Sequence, residues 1–210
     1  VKQIFSKADE KLKFPISKLI LEGPENKLQL TENTQPAILT VSYSIFKILK
    51  DEFKFNMNSL ECLAGHSLGE YSALVCSGAL SFEDALYLLN ERGKSMQEAV
   101  PVGAGSMIAV LGSSKKDINI LIESITDKKG ICEIANDNAP GQIVISGTVD
   151  AVDKAIDEAK AVGLRRAIKL PVSAPFHCGL MAPAADVMRE ALAASKISDA
   201  KMPIFCNVTA

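Results

Sequence analysis

One short stretch of the chain has the residue types and spacing of a reactive serine. Positions 65–69 read Gly-His-Ser-Leu-Gly, which matches the G-x-S-x-G pattern of a nucleophile elbow between a predicted strand and a predicted helix. The glycines allow a sharp turn that exposes the Ser67 hydroxyl. The helix that follows directs unpaired N–H groups toward negative charge on a substrate, so the Leu68 N–H is the expected oxyanion donor. We predict Ser67 as a nucleophile, against the alternative of an ordinary glycine-bounded turn.

A serine hydroxyl needs a general base, and the chain contains only two histidines. His66 is adjacent to Ser67, but on a tight elbow the neighbouring side chain points away, so we expect it to pack or to hold the loop. His177 follows a predicted strand and a proline-ordered loop, and we predict that it is the base. The group that orients its imidazole stays open between backbone carbonyls and three aspartates: Asp137, Asp150 and Asp186.

The composition excludes several other classes of protein. The chain has 210 residues, a formal charge of −2 and 48% hydrophobic residues, which indicates a globular protein and argues against a nucleic-acid-binding domain. No apolar run approaches the roughly 18 residues that cross a bilayer. The five cysteines are odd in number, widely spaced and never in a C-x-x-C pair. This usage disfavours zinc ribbons and disulfide frameworks and suits a reducing cytoplasm.

The pattern of elements predicts an α/β fold with a small inserted subdomain. The insert, at 102–173, has strands and helices in the ferredoxin-like order βαββαβ: strands at 106–111, 132–135, 142–146 and 166–172, helices at 115–125 and 149–162, and a turn-rich loop at 136–141. The helix at 115–125 has an apolar stripe of four residues: Ile118, Leu121, Ile122 and Ile125. A larger α/β subdomain takes 1–101 and 174–210. Its predicted elements are helices at 1–12, from 33 with Pro36 in the first turn, at 68–75 and at 81–97 with Ser81 as N-cap, and a strand at 60–64. In the helix from 33, the helical spacing predicts one apolar face of four residues: Ile38, Val41, Ile45 and Leu49. A last strand has only begun near 202, and we expect the chain to be clipped at both ends.

Four motifs in the chain resemble those of one enzyme family. They are GHSLGEYSAL at 65–74, ERGK at 91–94 followed by Met96 and Gln97, NAPGQ at 138–142, and PFHC at 175–178 followed by Leu180 and Met181. In this order, over essentially the whole chain, they resemble malonyl-CoA:acyl-carrier-protein transacylase of type II fatty acid synthesis and the acyltransferase domains of polyketide synthases. The resemblance implies a large subdomain with a hydrolase-like parallel sheet and a ferredoxin-like small subdomain.

The resemblance implies roles for single residues. Ser67 matches the acyl-accepting nucleophile, and His177 matches its base, which backbone carbonyls orient in this family. Arg92 matches the residue that pairs with the free malonyl carboxylate. Its local sequence alone is also typical of an exposed arginine on a helix. Phe176 resembles the malonyl-selecting version of its motif, with a core aromatic as the alternative. An N-terminal strand with a second oxyanion donor and a C-terminal section of the family are missing from the chain.

The implied reaction passes a malonyl group from coenzyme A to Ser67 and then to the phosphopantetheine thiol of acyl carrier protein. Malonyl-CoA is a substrate, and no cofactor, metal, nucleic acid or membrane is implied. We expect a cytoplasmic monomer in which His177 Nε2 lies near Ser67 Oγ and no side-chain carboxylate binds Nδ1. A serine hydrolase, which would need an acidic triad member, and an inactive scaffold are the alternatives. The carrier is expected to dock on a basic patch of three residues: Arg165, Arg166 and Lys169.

Overall fold

The computed structural model describes residues 1–101, 103–126, 130–161, 166–172 and 174–209. They form two units, one of Val1–Lys94 with Met188–Ala210 and one of Ser95–Val187. The subdomain limits at 102 and 173 stay a prediction. Within the described ranges, no helix has both the length and the apolar character needed to span a bilayer.

The helices and strands follow one another in nearly the predicted order. In chain order they are α1 (Lys2–Leu12), α2 (Ile16–Glu22), α3 (Glu25–Leu28), α4 (Thr31–Asp51), β1 (Leu63–Ala64), α5 (Gly69–Ser77), α6 (Phe82–Ala99), β2 (Gly105–Leu111), α7 (Lys115–Thr126), β3 (Cys132–Ala139), β4 (Gln142–Thr148), α8 (Val149–Ala161), β5 (Arg166–Lys169), α9 (Ala182–Ala193) and β6 (Ile204–Phe205). The short helices α2 and α3 and the helix α9 are not predicted from the sequence. The predicted N-cap of α6 is confirmed, because the Ser81 hydroxyl accepts a hydrogen bond from the Asp84 N–H at 3.0 Å.

In the first unit, the two short strands pair in parallel. Leu63 in β1 lies opposite Ile204 in β6, and Ala64 lies opposite Phe205. The strand predicted at 60–64 is therefore wrong in length, because pairing begins only where β6 is available as a partner. Since parallel strands end at the same edge of a sheet, the residues that follow β1 and β6 meet beyond that edge.

Helix α4 contains a proline in its interior. The helix begins at Thr31, so the prediction that Pro36 lies in the first turn is wrong. Proline has no N–H, and the carbonyl of Glu32, four residues earlier, loses its helical partner. Asn90 Nδ2 on α6 donates to this carbonyl at 3.3 Å. The interruption in α4 therefore becomes a hydrogen bond to α6.

Helix α6 also approaches the start of α4 closely at Gly93. A Cβ added at this glycine would lie 2.4 Å from Glu32 Cα and 2.7 Å from the Thr31 carbonyl oxygen. Both are backbone atoms, so they cannot swing aside as a flexible side chain would. The absence of a side chain at Gly93 therefore allows the two helices to meet.

The exposed and buried faces of α4 differ from what its sequence suggests. Thr40 and Ser44 are buried, and their hydroxyls donate to the carbonyls of Pro36 and Thr40, each at 2.8 Å. These bonds satisfy polar groups that would otherwise be costly to bury. The apolar residues predicted to share one face are between 37% and 54% exposed: Ile38, Val41, Ile45 and Leu49. Ile38 and Leu49 border an open apolar groove that β1 and α5 also line.

The second unit contains an antiparallel four-stranded sheet in the order β3-β4-β2-β5. Along the chain its elements are β2, α7, β3, β4, α8 and β5. Helices α7 and α8 pack on residues at alternate positions of the central strands: Ile108, Val110, Ile143 and Ile145. The loop predicted at 136–141 is too long, because β3 continues to Ala139 and accommodates its polar residues through two register shifts, which leaves a turn at 140–141. Strand β5 ends at Lys169, short of the predicted Val172.

The variant Gly93→Ala should destabilise the protein. In an uncrowded helix interior this change gains about 1 kcal/mol, but here the new methyl group meets backbone, and overpacking costs about 1–3 kcal/mol. We expect a net loss in the free energy of unfolding, measured by denaturant titration. Lys94→Ala is the control, because it removes only an exposed ion pair worth at most about 1 kcal/mol. A stabilised Gly93→Ala variant would contradict the close helix contact.

Candidate active site

Ser67 lies at the sharp turn between β1 and α5. Its backbone φ is 52°, in the left-handed region that non-glycine residues rarely adopt. Such a conformation costs about 1–3 kcal/mol and persists only when the surrounding structure enforces it. A Cβ added at Gly65 would lie 1.9 Å from the Gly69 carbonyl oxygen, whereas a Cβ at Gly69 meets no described atom within 4 Å. Packing in the described part of the chain thus requires the first glycine of the motif but not the second.

Asn207 lies against the elbow from beyond the end of β6. Its Oδ1 accepts a hydrogen bond from the Ser67 N–H at 2.6 Å, and its Nδ2 donates to the Gly65 carbonyl at 2.6 Å. Glu70, in the first turn of α5, accepts bonds on Oε2 from Nδ2 and from the backbone N–H of Asn207, each at 2.8 Å. Four hydrogen bonds therefore join Asn207 to the elbow and to the helix that follows it.

Leu68 lies at the start of α5, where the predicted oxyanion donor is expected. Its φ and ψ are −56° and −24°, and its side chain packs against the core of the first unit. Among the described hydrogen bonds, its N–H donates none. A backbone donor at the positive end of a helix is suited to stabilise a developing oxyanion.

Arg92 extends from α6 to Ser67. Its Nη2 donates to Ser67 Oγ at 3.2 Å, and its Nη1 donates to Gln35 Oε1 at 2.6 Å. Gln35 is buried on α4, and its Nε2 donates to Thr31 Oγ1 at 2.8 Å, which orients the amide oxygen toward the guanidinium. Burial lowers the pKa of Arg92, yet an arginine remains charged in proteins. A partly desolvated cation beside a serine hydroxyl favours binding of an anion.

His177 lies in the second unit, in a loop that ends against β3. Its φ is 59°, so the predicted base shares the left-handed backbone of the predicted nucleophile. The Cys178 thiol donates to the Pro175 carbonyl at 3.2 Å. The Gly179 N–H donates to Glu133 Oε2 at 2.7 Å. These contacts hold the loop on both sides of the histidine.

The structure brings some of the predicted site residues together within one unit. Ser67 and Arg92 share a hydrogen bond in the first unit, whereas His177 and Phe176 belong to the second. The pairing of His177 with Ser67, and the group on its Nδ1, stay predictions. Phe176 packs against a cluster of the second unit that consists of Met96, Val100, Met181 and Ala184. Its predicted contact with substrate stays open.

Two other expectations concern acidic residues. Asp137, one of three aspartates considered for orienting the histidine, has its carboxylate paired with Lys115 Nζ at 3.1 Å. In the described ranges, no group of three or more His, Cys, Asp or Glu side chains is arranged to hold a metal ion. The described contacts thus place Asp137 in a surface ion pair.

Sequence reasoning missed Gln35 and Asn207. Gln35 is a buried polar residue, and the apolar periodicity that predicts its helix carries no signal for a buried amide. Asn207 is 140 positions from Ser67. Its one available signal is that it follows a strand that pairs in parallel with the strand before the elbow. That pairing is a tertiary fact.

The variant Gly65→Ala should open the elbow. Its methyl group would lie 1.9 Å from the Gly69 carbonyl oxygen, which cannot move unless the turn itself rearranges. We expect the free energy of unfolding to fall by about 3 kcal/mol, at the upper end for overpacking. Gly69→Ala is the matched control: its methyl group meets open space, so it should leave stability unchanged or raise it by at most about 1 kcal/mol. Equal stability of the two variants, measured by thermal unfolding, would argue against this packing.

Comparisons with known proteins identify relatives of the chain. A family model described as an acyl transferase domain matches residues 2–210. The malonyl CoA-acyl carrier protein transacylase of Bacillus subtilis (strain 168) is 47% identical over 209 residues, which are 100% of this chain and 65% of that protein. The crystal structure of an acyl-carrier-protein-S-malonyltransferase from Bartonella henselae matches with a TM-score of 0.94 and 42% identity, covering 99% of this chain and 66% of that one. A structure of a type II PKS acyl-carrier protein in complex with its malonyl-transacylase matches with a TM-score of 0.93 and 40% identity, covering 99% and 66%.

These matches settle the family and the coarse fold. The chain spans 65% of the length of the Bacillus relative, just under two thirds. The solved structures confirm a mixed α/β fold with a parallel sheet and a four-stranded antiparallel sheet. The resemblance to malonyl CoA-acyl carrier protein transacylases, predicted from four motifs, is confirmed. The chain belongs to the acyl transferase domain family.

Proposed function

We propose that the protein transfers a malonyl group from coenzyme A to the phosphopantetheine thiol of acyl carrier protein, through a malonyl ester on Ser67. The hydrogen bond from Arg92 Nη2 to Ser67 Oγ, at 3.2 Å, carries this proposal. It places a guanidinium within reach of an acyl group attached to the serine. The names of the relatives, which are malonyl transacylases, support the choice of acyl group.

Arg92 is proposed to select the acyl group by its free carboxylate. A guanidinium binds a carboxylate through two parallel charge-assisted hydrogen bonds, and an acetyl group offers no such partner. In the described contacts, Arg92 donates to two neutral oxygens, on Gln35 and Ser67. A carboxylate is a stronger acceptor than either, so the substrate draws the guanidinium from Ser67 Oγ and leaves the hydroxyl available for attack.

His177 is proposed as the general base and acid. It takes the proton of Ser67 Oγ as the oxygen attacks the thioester carbonyl, and the carbon–sulfur bond breaks when this proton passes to the coenzyme A sulfur. In the second half-reaction the carrier thiol gives its proton to His177 and attacks the malonyl ester. The carbon–oxygen bond breaks, and Ser67 Oγ takes the proton back. The left-handed backbone at both residues supports these roles, because such strain concentrates at active sites.

The oxyanion of each tetrahedral intermediate is proposed to bind the Leu68 N–H. This donor lies at the start of α5, where the helix dipole adds to its effect. A single oxyanion-hole donor is worth roughly 3–4 kcal/mol in measured cases. Phe176 is proposed to line the acyl pocket, as its motif suggests.

The finer fold belongs to the same proposal. The sheet order β3-β4-β2-β5, with α7 and α8 packed on it, supports a ferredoxin-like small subdomain at 102–173. The parallel pair β1–β6 leading into the elbow supports a hydrolase-like large subdomain at 1–101 and 174–210. The cysteines are free thiols, which supports a cytoplasmic protein. We expect it to act as a monomer.

The carrier protein is proposed to dock on the basic patch ahead of the His177 loop. Arg166 is exposed on β5, and Lys169 pairs with Asp153 at 2.8 Å, whereas Arg165 lies outside the described residues. An exposed ion pair is worth at most about 1 kcal/mol, so an acidic carrier can compete for Lys169. The solved complex of a type II PKS acyl-carrier protein with its malonyl-transacylase supports a direct contact of this kind.

The variant Ser67→Ala should abolish covalent labelling of the full-length protein by radiolabelled malonyl-CoA. The reason is that the acyl ester forms on Ser67 Oγ, which the variant lacks. Ser59→Ala is the control, because this exposed hydroxyl only donates to the Asn56 carbonyl. With holo acyl carrier protein added, the label of the wild-type protein should move to the carrier. Release of free malonate instead would identify a hydrolase, and a labelled Ser67→Ala variant would overturn the nucleophile.

The variant Gln35→Glu should reduce the selectivity for malonyl-CoA. It places a carboxylate beside Arg92 Nη1, where the neutral amide oxygen now lies at 2.6 Å, and this carboxylate competes with that of the substrate. We expect kcat/KM for malonyl-CoA to fall by roughly 10- to 100-fold, since hydrogen bonds to charged groups contribute about 1.5–3 kcal/mol. Slow acylation by acetyl-CoA should not fall in parallel. Gln3→Glu, at an exposed position of α1, is the control. An unchanged malonyl-to-acetyl ratio would exclude the carboxylate-binding role of Arg92.

A further inference from the structure

We propose that Asn207 is a positioning residue for the nucleophile. Its side-chain amide, held by Glu70, keeps the elbow in the left-handed shape that presents Ser67 Oγ. The inference rests on the proposed function only in taking Ser67 as the reactive residue. Asn207 belongs to none of the four motifs on which the resemblance is based, and it acts on the backbone of the elbow rather than on the substrate.

The side chain of Asn207 continues the parallel β1–β6 pairing by one rung. In a parallel ladder, one residue donates its N–H to a carbonyl of the partner strand and accepts, on its C=O, the N–H two residues further along. Asn207 does the same with its amide, because Nδ2 donates to the Gly65 carbonyl and Oδ1 accepts from the Ser67 N–H. The backbone pairing itself ends at Ala64 and Phe205. The amide therefore replaces the missing strand residue opposite position 66.

Glu70 decides which way the amide faces. Its Oε2 accepts hydrogen bonds from Nδ2 and from the backbone N–H of Asn207, each at 2.8 Å. A carboxylate only accepts hydrogen bonds, so it excludes the flipped amide, which would direct Oδ1 at Glu70 and at the Gly65 carbonyl. Glu70 lies in the first turn of α5, where the helix dipole favours a negative charge. Helix α5, which begins at the elbow, thus carries the carboxylate that orients Asn207, and Asn207 in turn binds the backbone of the elbow.

The two backbone bonds span the strained position. Gly65 precedes the turn and Ser67 is the left-handed residue, so an amide bound to both fixes their separation. Without it, Ser67 can relax toward the ordinary helical region, and its hydroxyl moves with the backbone. The same bond occupies the Ser67 N–H, which leaves the Leu68 N–H as the donor of the elbow for an oxyanion.

The test measures the reactivity of Ser67 without malonyl-CoA. A fluorophosphonate probe reacts with an activated serine: an oxygen–phosphorus bond forms, the phosphorus–fluorine bond breaks, and the hydroxyl proton and the fluoride are released to solvent. In the full-length protein, Asn207→Ala should slow this labelling by about 10- to 100-fold, the effect of a misplacement of order 1 Å. In acylation by malonyl-CoA, kcat should fall while KM stays near the wild-type value, because Arg92 is unchanged. Gln29→Ala is the matched control, because Gln29 is an exposed amide that donates to a carboxylate, Glu25, at 3.1 Å.

A double variant separates positioning from folding. The single variant Asn207→Asp places a carboxylate against that of Glu70, and we expect its melting temperature to fall. Combined with Glu70→Gln, it restores a bond between positions 207 and 70 with donor and acceptor exchanged, but the Gly65 carbonyl still lacks its donor. We expect the melting temperature to recover and the labelling rate to stay low.

Two results would overturn the inference. One is labelling of Asn207→Ala at the wild-type rate. The other, decisive if that variant does not fold, is a double variant that labels as fast as the wild type. Failure of the proposed function has a different signature, since a wild-type protein that reacts with the probe but does not transfer malonyl would leave the role of Asn207 intact.

Discussion

The left-handed backbone of Ser67 is the constraint on which the rest of the site depends. A non-glycine residue adopts it only when neighbouring groups enforce it, and here the enforcement comes from both sides of the turn. Gly65 lets the backbone pass within contact of Gly69, and the amide of Asn207 binds the backbone before and at the serine. Because α5 begins at this turn, the direction of the helix and of its first N–H groups follows from the same geometry.

The position of Arg92 has a comparable origin in a helix irregularity. Pro36 leaves the Glu32 carbonyl without its helical partner, and Asn90 binds it. Gly93, one turn along α6, lies against the same residue of α4. Arg92 lies between these two anchor points, so α6 can neither rotate nor slide without breaking one of them. The Arg92 guanidinium is thereby directed at Ser67. The missing hydrogen bond at Pro36 in α4 thus helps to orient a side chain of α6.

The charges near Ser67 have distinct effects. Arg92 is a partly desolvated cation at hydrogen-bond distance from Ser67 Oγ, whereas Glu70 is an anion that accepts two hydrogen bonds from Asn207. The attraction between Glu70 and Arg92 opposes the effect of burial on the pKa of the arginine. The positive charge therefore lies beside Ser67 Oγ, where the proposed acyl carboxylate is expected to bind, and the negative charge supports the backbone of the elbow through Asn207.

Local sequence determined those features that depend on neighbours along the chain. The elbow motif, the cap at Ser81 and the buried stripe of α7 depend on glycine conformation, a side-chain hydroxyl and helical periodicity, all of which operate within a few residues. Tertiary structure alone decided the features that join distant segments. Asn207 meets Ser67 across 140 positions because β1 and β6 pair in parallel, and Gln35 meets Arg92 because Gly93 admits α4. On α4, Thr40 and Ser44 are buried beside Ala37 and Leu39, whereas the stripe of Ile38, Val41, Ile45 and Leu49 stays exposed. Periodicity shows which residues share a face, but only the packed neighbours decide which face is covered.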